Sequence, residues 1–188
     1  ILEPFGFSAS APARNEHAHG SLSLNRTYMY SIMHLLTEEE GMLALKAARA
    51  FAEAAVKHEA AVPVEMPEIF SEERGVFVTL TENGELRGCI GFPYPVRPLG
   101  EALREAAGAA ATQDPRFYPV REAELADIRV EVTVLTRPAV LECPAEERPN
   151  HIVIGRHGLI ASLGNRSGLL LPQVAEEYGW DAGEFLSQ

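Results

Sequence analysis

The sequence predicts an α+β fold, and three observations carry the prediction. Apolar residues recur at helical spacing in two long stretches. β-branched and aromatic residues cluster or alternate in several short runs. Tight turns and irregular loops join those runs, in place of regular βαβ units, so the sheets are expected to be antiparallel. No internal repeat is visible.

Residues 1–34 come first and stand apart. Ala, Ser, Pro, Asn and His mix there without helical or strand period, and the first residue is Ile1. The stretch is read as an N-terminal arm, a cloning remnant or the trimmed end of a longer polypeptide, and is left unassigned. His17, His19 and His34 fall within it, but without the spacing or the carboxylate and thiolate company of a metal site. No metal and no other cofactor is predicted.

Residues 35–188 form the folded part. Thr37 suits a helix N-cap and Glu40 falls at N3, which makes a capping box and opens a helix that runs to about Lys57. Its expected buried stripe is Leu43, Ala47, Ala50, Phe51 and Ala54. Pro63 and Pro67 prevent continuation. Val76-Phe77-Val78-Thr79-Leu80 and Leu86-Arg87-Gly88-Cys89-Ile90-Gly91 then read as the two strands of a hairpin over residues 75–91, since Asn83-Gly84 favours φ > 0 at both turn positions.

A proline-rich loop from Phe92 to Pro98 leads into an alanine-rich helix from Leu99 to Thr112, which Asp114-Pro115 stops. Ile128, Val130, Val132 and Val134 alternate with polar residues as a half-buried strand that ends at Pro138. Residues 143–150 read as a surface connection. Three short strands are expected at 151–154, 159–162 and 169–171, separated by turns at 155–158 and 164–168. Pro172 opens a helix to Tyr178, Gly179 closes it in the left-handed conformation, and Asp181 caps a last helix.

The run Leu86-Arg87-Gly88-Cys89-Ile90-Gly91 is the candidate site, because it places a thiol and a guanidinium two residues apart between glycines. In a regular strand Arg87, Cys89 and Gly91 share one face, while Leu86, Gly88 and Ile90 share the other. Glycines inside a strand mark a bulge or a close approach by a backbone or ligand. Cys89 has three readings: a nucleophile whose pKa Arg87 lowers, a wall of a binding cleft, or a small buried hydrophobe. Nucleophilic catalysis also needs a base, for which His151 and His157 are candidates, with Asp114 and Glu131 behind them.

Arg87 suits either a forked grip on a carboxylate or phosphate or a salt bridge to Asp114 or a glutamate. Asp114, Arg116, Phe117 and Tyr118 make either a packed corner or a binding rim. Gln173, next to Pro172 at a helix start, is either an anion ligand or a surface glutamine.

The composition excludes some classes. A net charge of −11 with scattered basic residues argues against nucleic acid or an anionic membrane surface as the main partner. Two cysteines, Cys89 and Cys143, in 188 residues suit a reducing compartment, so the expected location is cytoplasmic. No stretch approaches the length of a membrane span.

These residues resemble a family. Leu86-Arg87-Gly88-Cys89-Ile90-Gly91 is similar to the signature of the AMMECR family. Asp114-Pro115-Arg116-Phe117, the strand Val130 to Leu135, and Gly168 to Ala175 with Gly179-Trp180-Asp181 extend the likeness over about Leu35 to Gln188. The resemblance implies an α+β fold of two unequal subdomains, each with an antiparallel sheet and flanking helices, with a cleft between them. The larger would hold both chain ends, and the signature residues would face the cleft. It also implies binding roles for Leu86, Gly88, Ile90, Gly91, Asp114, Arg116, Phe117, Pro172 and Gln173.

Prokaryotic members look like the A component of the AmmeMemoRadiSam system, which implies a modification pathway with Memo-like and radical SAM partners. Family members usually continue past Phe185-Leu186, so a truncated C-terminus is expected. Two functions follow as expectations. The preferred one is a cleft protein that binds a peptide, a protein segment or a sizeable modified intermediate, with Arg87 anchoring an anionic group. The alternative is a thiol-dependent transferase or hydrolase with Cys89 as nucleophile.

Overall fold

The computed structural model describes residues 26–31 and 36–188. His17, His19, His34 and the arm as a whole up to residue 25 lie outside them. In chain order the elements are β1 (Arg26–Ser31), α1 (Glu38–Lys57), β2 (Gly75–Glu82), β3 (Glu85–Phe92), α2 (Leu99–Thr112) and β4 (Ile128–Leu135). There follow β5 (Ala139–Val140), β6 (His157–Leu163), β7 (Arg166–Leu170), α3 (Pro172–Tyr178) and α4 (Ala182–Ser187). Helices and two antiparallel sheets confirm the α+β class. No helix among the described residues is long and apolar enough to cross a membrane.

The chain divides into two compact units. The larger spans residues up to 137 and holds a three-stranded sheet in the order β3-β2-β4. β1 and the segment from Pro138 onward make the smaller, with a four-stranded sheet in the order β5-β1-β6-β7. The expectation that the larger subdomain holds the chain ends is therefore reversed for the described residues: Arg26–Ser31 and Gln188 belong to the smaller.

In the larger unit the predicted caps form. Thr37 accepts the Glu40 N–H while the Glu40 carboxylate accepts the Thr37 N–H at 2.8 Å, which satisfies two helix-end donors reciprocally. The buried face of α1 is Ala44, Ala47, Ala48, Phe51, Ala52 and Val56. It lies round the helix from the expected stripe, because α1 packs against both α2 and β4. Alanines on both helices let the two approach closely, down to van der Waals contact between a Cβ built at Gly108 and Ala55.

The hairpin is as expected. Asn83 and Gly84 adopt φ of 52° and 88°, the left-handed pair that a two-residue turn requires. β2 lies between β3 and β4, with Val76, Val78 and Leu80 buried toward the helices together with Leu99, Leu103 and Ala106 of α2. Gly88 faces the same way, opposite Leu80, and a Cβ there would collide with the Ala110 carbonyl oxygen. Its bareness is what lets α2 sit against β3.

The smaller unit departs more from the sequence reading. Arg26–Ser31, inside the segment read as an arm, is a strand that pairs with both β5 and β6. Residues 151–154 are not a strand. A 3-10 stretch runs over Ala145–His151, and Val153 then closes a turn, its carbonyl accepting the Arg156 and His157 N–H groups at 3.2 and 2.9 Å. The apolar run serves the core and not a sheet: Ile152 is buried there and Ile154 packs against it. The following hairpin turns on two residues, Gly164 and Asn165, and its second strand starts at Arg166, earlier than expected. The helix signals hold: Pro172 starts α3, Gly179 ends it at φ 64°, and Asp181 with Glu184 forms a capping box on α4. Phe185 and Ala175 anchor both helices in this unit's own core.

Candidate functional site

The signature strand contains a bulge that changes its faces. β2 and β4 pair without interruption, but Leu80 opposes Gly88 while Thr81 opposes Leu86, so Arg87 is the extra residue of β3. Cys89 and Gly91 lie opposite Thr79 and Phe77 on the face away from the helices, and Leu86, opposite Thr81, joins them there. Gly88 and Ile90 lie on the helix side. The strict alternation expected for the six residues thus holds from Gly88 to Gly91 and fails at Leu86 and Arg87. A bulge re-aims a side chain, and Arg87 is the one re-aimed.

Each nitrogen of the Arg87 guanidinium donates a hydrogen bond, and none goes to the thiol. Its Nε donates to Glu124 Oε1 at 3.0 Å, one Nη to the Tyr118 carbonyl at 2.8 Å and the other to the Pro119 carbonyl at 3.3 Å. Glu124 also accepts the Arg121 N–H at 2.7 Å and its Nε at 3.1 Å. Hydrogen bonds from Arg87, then from Arg121, hold the Glu124 carboxyl down at about 2. Of the alternatives for Arg87, the structure selects a salt bridge to a glutamate, and the bridge fixes the loop that leads from α2 toward β4.

Asp114 and Arg116 close the outer edge of β3. Asp114 Oδ2 accepts the Cys89 N–H at 2.8 Å, and Arg116 donates to the Cys89 carbonyl at 3.2 Å while gripping Asp114 through Nε and Nη2 at 3.0 and 2.7 Å. The pair stands where a neighbouring strand would. Asp114 is buried, which acts to raise its pKa, yet the hydrogen bonds from Arg116 and from Cys89 outweigh burial and leave it at about 2. Both carboxylates are therefore ionised at neutral pH and neither can act as a general acid there.

Cys89 is 8% exposed, and burial pushes its thiol up from the ordinary value, against a hydrogen bond from the Thr79 hydroxyl at 3.3 Å and the positive charge of Arg116. Glu131 shares the row, opposite Thr79 on the other side of β2, and its charge adds to the upward push. His151 and His157 belong to the smaller unit. There His157 Nδ1 accepts the Val153 N–H at 3.1 Å, and burial, ahead of the Arg156 charge, lowers its pKa. Gly91 carries no side chain because the Phe77 ring lies over it.

An open pocket of about 970 Å³ lies on the larger unit, lined by Arg87, Arg116, Phe117, Tyr118, Arg121 and Glu124, with Pro115 and Pro119. Three guanidinium groups and one carboxylate face it. Tyr118 is 90% exposed and Arg121 is 83% exposed in its side chain, while the Arg116 guanidinium lies 5.4 Å from the Phe117 ring centre. Exposed cations beside aromatic rings suit an anionic group attached to a flat or apolar body.

The AMMECR1 family model matches residues 45–188, the signature strand, the pocket loop and the smaller unit's C-terminal helices included. The chain belongs to the AMMECR1 family. It is 54% identical over 154 residues to a protein of Methanocella arvoryzae, covering 81% of this chain and 78% of the relative. It is 52% identical over 157 residues to protein Mbar_A1807 of Methanosarcina barkeri, with the same coverage. Among solved structures, it is similar to the uncharacterized protein PH0010 of Pyrococcus horikoshii at a TM-score of 0.75 and 46% identity, over 81% of this chain and 79% of that one. The AMMECR family read from the sequence is thereby established, and none of these names carries an activity.

Within the AMMECR1 fold, the expected site residues divide. Arg87, Arg116 and Phe117 line the pocket. Asp114 and Cys89 lie against each other at the β3 edge, Gly91 lies under Phe77, and Gly88 and Ile90 face the helices. Leu86 shares the Cys89 face. Pro172 is buried in the smaller unit and Gln173 follows it on α3. Sequence reading placed Tyr118 in a corner or rim but missed Arg121 and Glu124 as site residues. An Arg three residues before a Glu, just past a Pro-rich exit loop, was their one local signal.

Proposed function

We propose that this chain is a cytoplasmic binding protein that holds the anionic group of a peptide, protein segment or modified intermediate in its arginine-lined pocket. The observation that carries the reading is the convergence of Arg87, Arg116 and Arg121 on one open pocket beside the exposed Tyr118 ring. Arg87 and Glu124 set the wall, Arg116 and Arg121 meet the anion, and Tyr118 covers the apolar part of the ligand. Two free cysteines accord with a reducing compartment. In the modification pathway that family resemblance implies, the ligand passes between this protein and Memo-like and radical SAM partners.

The alternative, a thiol-dependent transferase or hydrolase, draws on Thr79 and Arg116 beside Cys89, but burial of the thiol and the commitment of Arg87 to Glu124 weigh against it. The deciding experiment is calorimetric titration of the chain with a phosphoserine peptide, its glutamate analogue and its serine analogue. Binding of the charged peptides but not of the serine one, lost in Arg121→Ala and in Tyr118→Ala without a change in melting temperature, is the expected result. Equal binding of all three, or affinity unchanged in both variants, refutes the pocket as the site.

A further inference from the structure

We propose that a second groove on the larger unit, outside the arginine pocket, docks an amphipathic helix of a partner protein with basic flanks. The groove, of about 480 Å³, is floored by Phe51, Val64, Met66 and Phe70 and runs between the segment 61–71 and the start of α2. Pro63 and Pro67 keep that segment from folding back as helix over the apolar surface. Gly100 lets the Met66 sulfur lie against α2, since a Cβ there would come within 2.8 Å of it. Val62, on the lip, is 73% exposed. Phe51 and Phe70 close the bottom of the groove, while Val64 and Met66 stay half-buried.

Charge decides the partner's chemistry. The stretch 58–73 holds Glu59, Glu65, Glu68, Glu72 and Glu73 and neither Lys nor Arg. Glu72 and Glu73 pair with Arg74 and Arg137, but Glu59, Glu65 and Glu68 are exposed and form no ion pair among the described residues. Glu101 stands in the wall, and among the described residues the one cation lining the groove is Arg104. An apolar groove whose wall belongs to a stretch with exposed, unpaired glutamates complements a segment that alternates apolar anchors with Lys or Arg. The segment 61–71 holds no strand and Pro63 has no N–H to give a ladder, so the partner engages through side chains, as a helix in a groove does, and not by adding a strand.

The test is fluorescence anisotropy on the full chain with a labelled leucine–lysine peptide of about four helical turns, patterned so that the leucines share one face. Controls are its scrambled isomer and a leucine–glutamate counterpart. The patterned basic peptide is expected to bind at least about tenfold tighter than either control. Glu65→Lys with Glu68→Lys, and separately Val62→Asp, each cost about tenfold or more, while Glu146→Lys with Glu147→Lys in the smaller unit, an equal change of charge, costs less than about twofold. Thermal melts confirm that these surface variants fold. Equal binding of the scrambled or acidic peptide, equal loss in the Glu146 and Glu147 variant, or no saturable binding overturns the proposal.

Discussion

Asp114 and Cys89 are joined through the backbone: the carboxylate accepts the Cys89 N–H at 2.8 Å, and Arg116, held by the same carboxylate, returns a bond to the Cys89 carbonyl at 3.2 Å. An edge strand offers such groups to any passing strand unless something covers them. Asp114→Ala removes the acceptor, leaves Arg116 without its anchor and uncovers β3. A loss of about 3 kcal/mol is expected, together with self-association of the variant. Urea unfolding reads the first and sedimentation velocity the second. A variant with the parent's unfolding midpoint and sedimentation would remove the edge-closing role.

Acid stability follows from the same carboxylate and from Glu124. Asp114 falls from 3.8 and Glu124 from 4.5 to about 2 in the fold, so the folded protein binds fewer protons than the unfolded chain between those values. Their contribution is complete above about pH 5 and disappears as pH falls toward 2. For Asp114, with its side chain 2% exposed, it amounts to about 2 kcal/mol. Stability measured by urea unfolding is expected to drop steeply from pH 5 to pH 2, with a shallower slope in Asp114→Asn. Parallel curves for the two proteins would show that the carboxylate is not the titrating element.

Much of the larger unit was legible because its signals are local. The Thr37 and Glu40 capping box, the Asn83-Gly84 turn and the Pro98 start of α2 each lie within four residues of the structure they specify. The partners of Arg26–Ser31 lie more than a hundred residues away, on β5 and β6, and nothing within the strand announces them. The strand expected at 151–154 fails for the same reason: the apolar run is real, but Ile152 and Ile154 pack into the core while the backbone turns at Val153. At the site, the pairing of a thiol with a guanidinium located the right strand and misjudged its geometry. The bulge at Arg87 depends on the register with β2, and the Arg87 to Glu124 bridge spans 37 residues.

Alkylation separates the nucleophile from the other two readings of Cys89. Its thiol is buried and its pKa raised above 9.0, whereas Cys143 is partly exposed. Iodoacetamide, followed by peptide mass spectrometry, is expected to modify Cys143 well before Cys89, and the Cys89 rate is expected to go on climbing with pH past the point where an ordinary thiol levels off. Thr79→Val removes a bond that favours the thiolate and is expected to slow Cys89 at a given pH. Rapid modification of Cys89 at neutral pH, dependent on Arg87, would instead restore the nucleophile.

Gly88 tests how much of the signature serves the fold. Two glycines in strands of this protein make the comparison: a Cβ at the buried Gly88 meets the Ala110 carbonyl oxygen, whereas a Cβ at the exposed Gly168 on β7 meets nothing within 4 Å. Neither has a positive φ, so backbone strain does not separate them. Gly88→Ala must push α2 away from β3 or distort the strand beside Cys89. It is expected to cost about 3 kcal/mol, at the upper end for an overpacked core, where Gly168→Ala changes stability by less than about 0.5 kcal/mol. Because α2 leads directly into Asp114 and Arg116, the same substitution is expected to speed alkylation of Cys89 by loosening the cover on its edge. Equal stability of the two alanine variants would mean that α2 does not pack on β3 as closely as the Ala110 contact requires, and would return Gly88 to the ligand side of the argument.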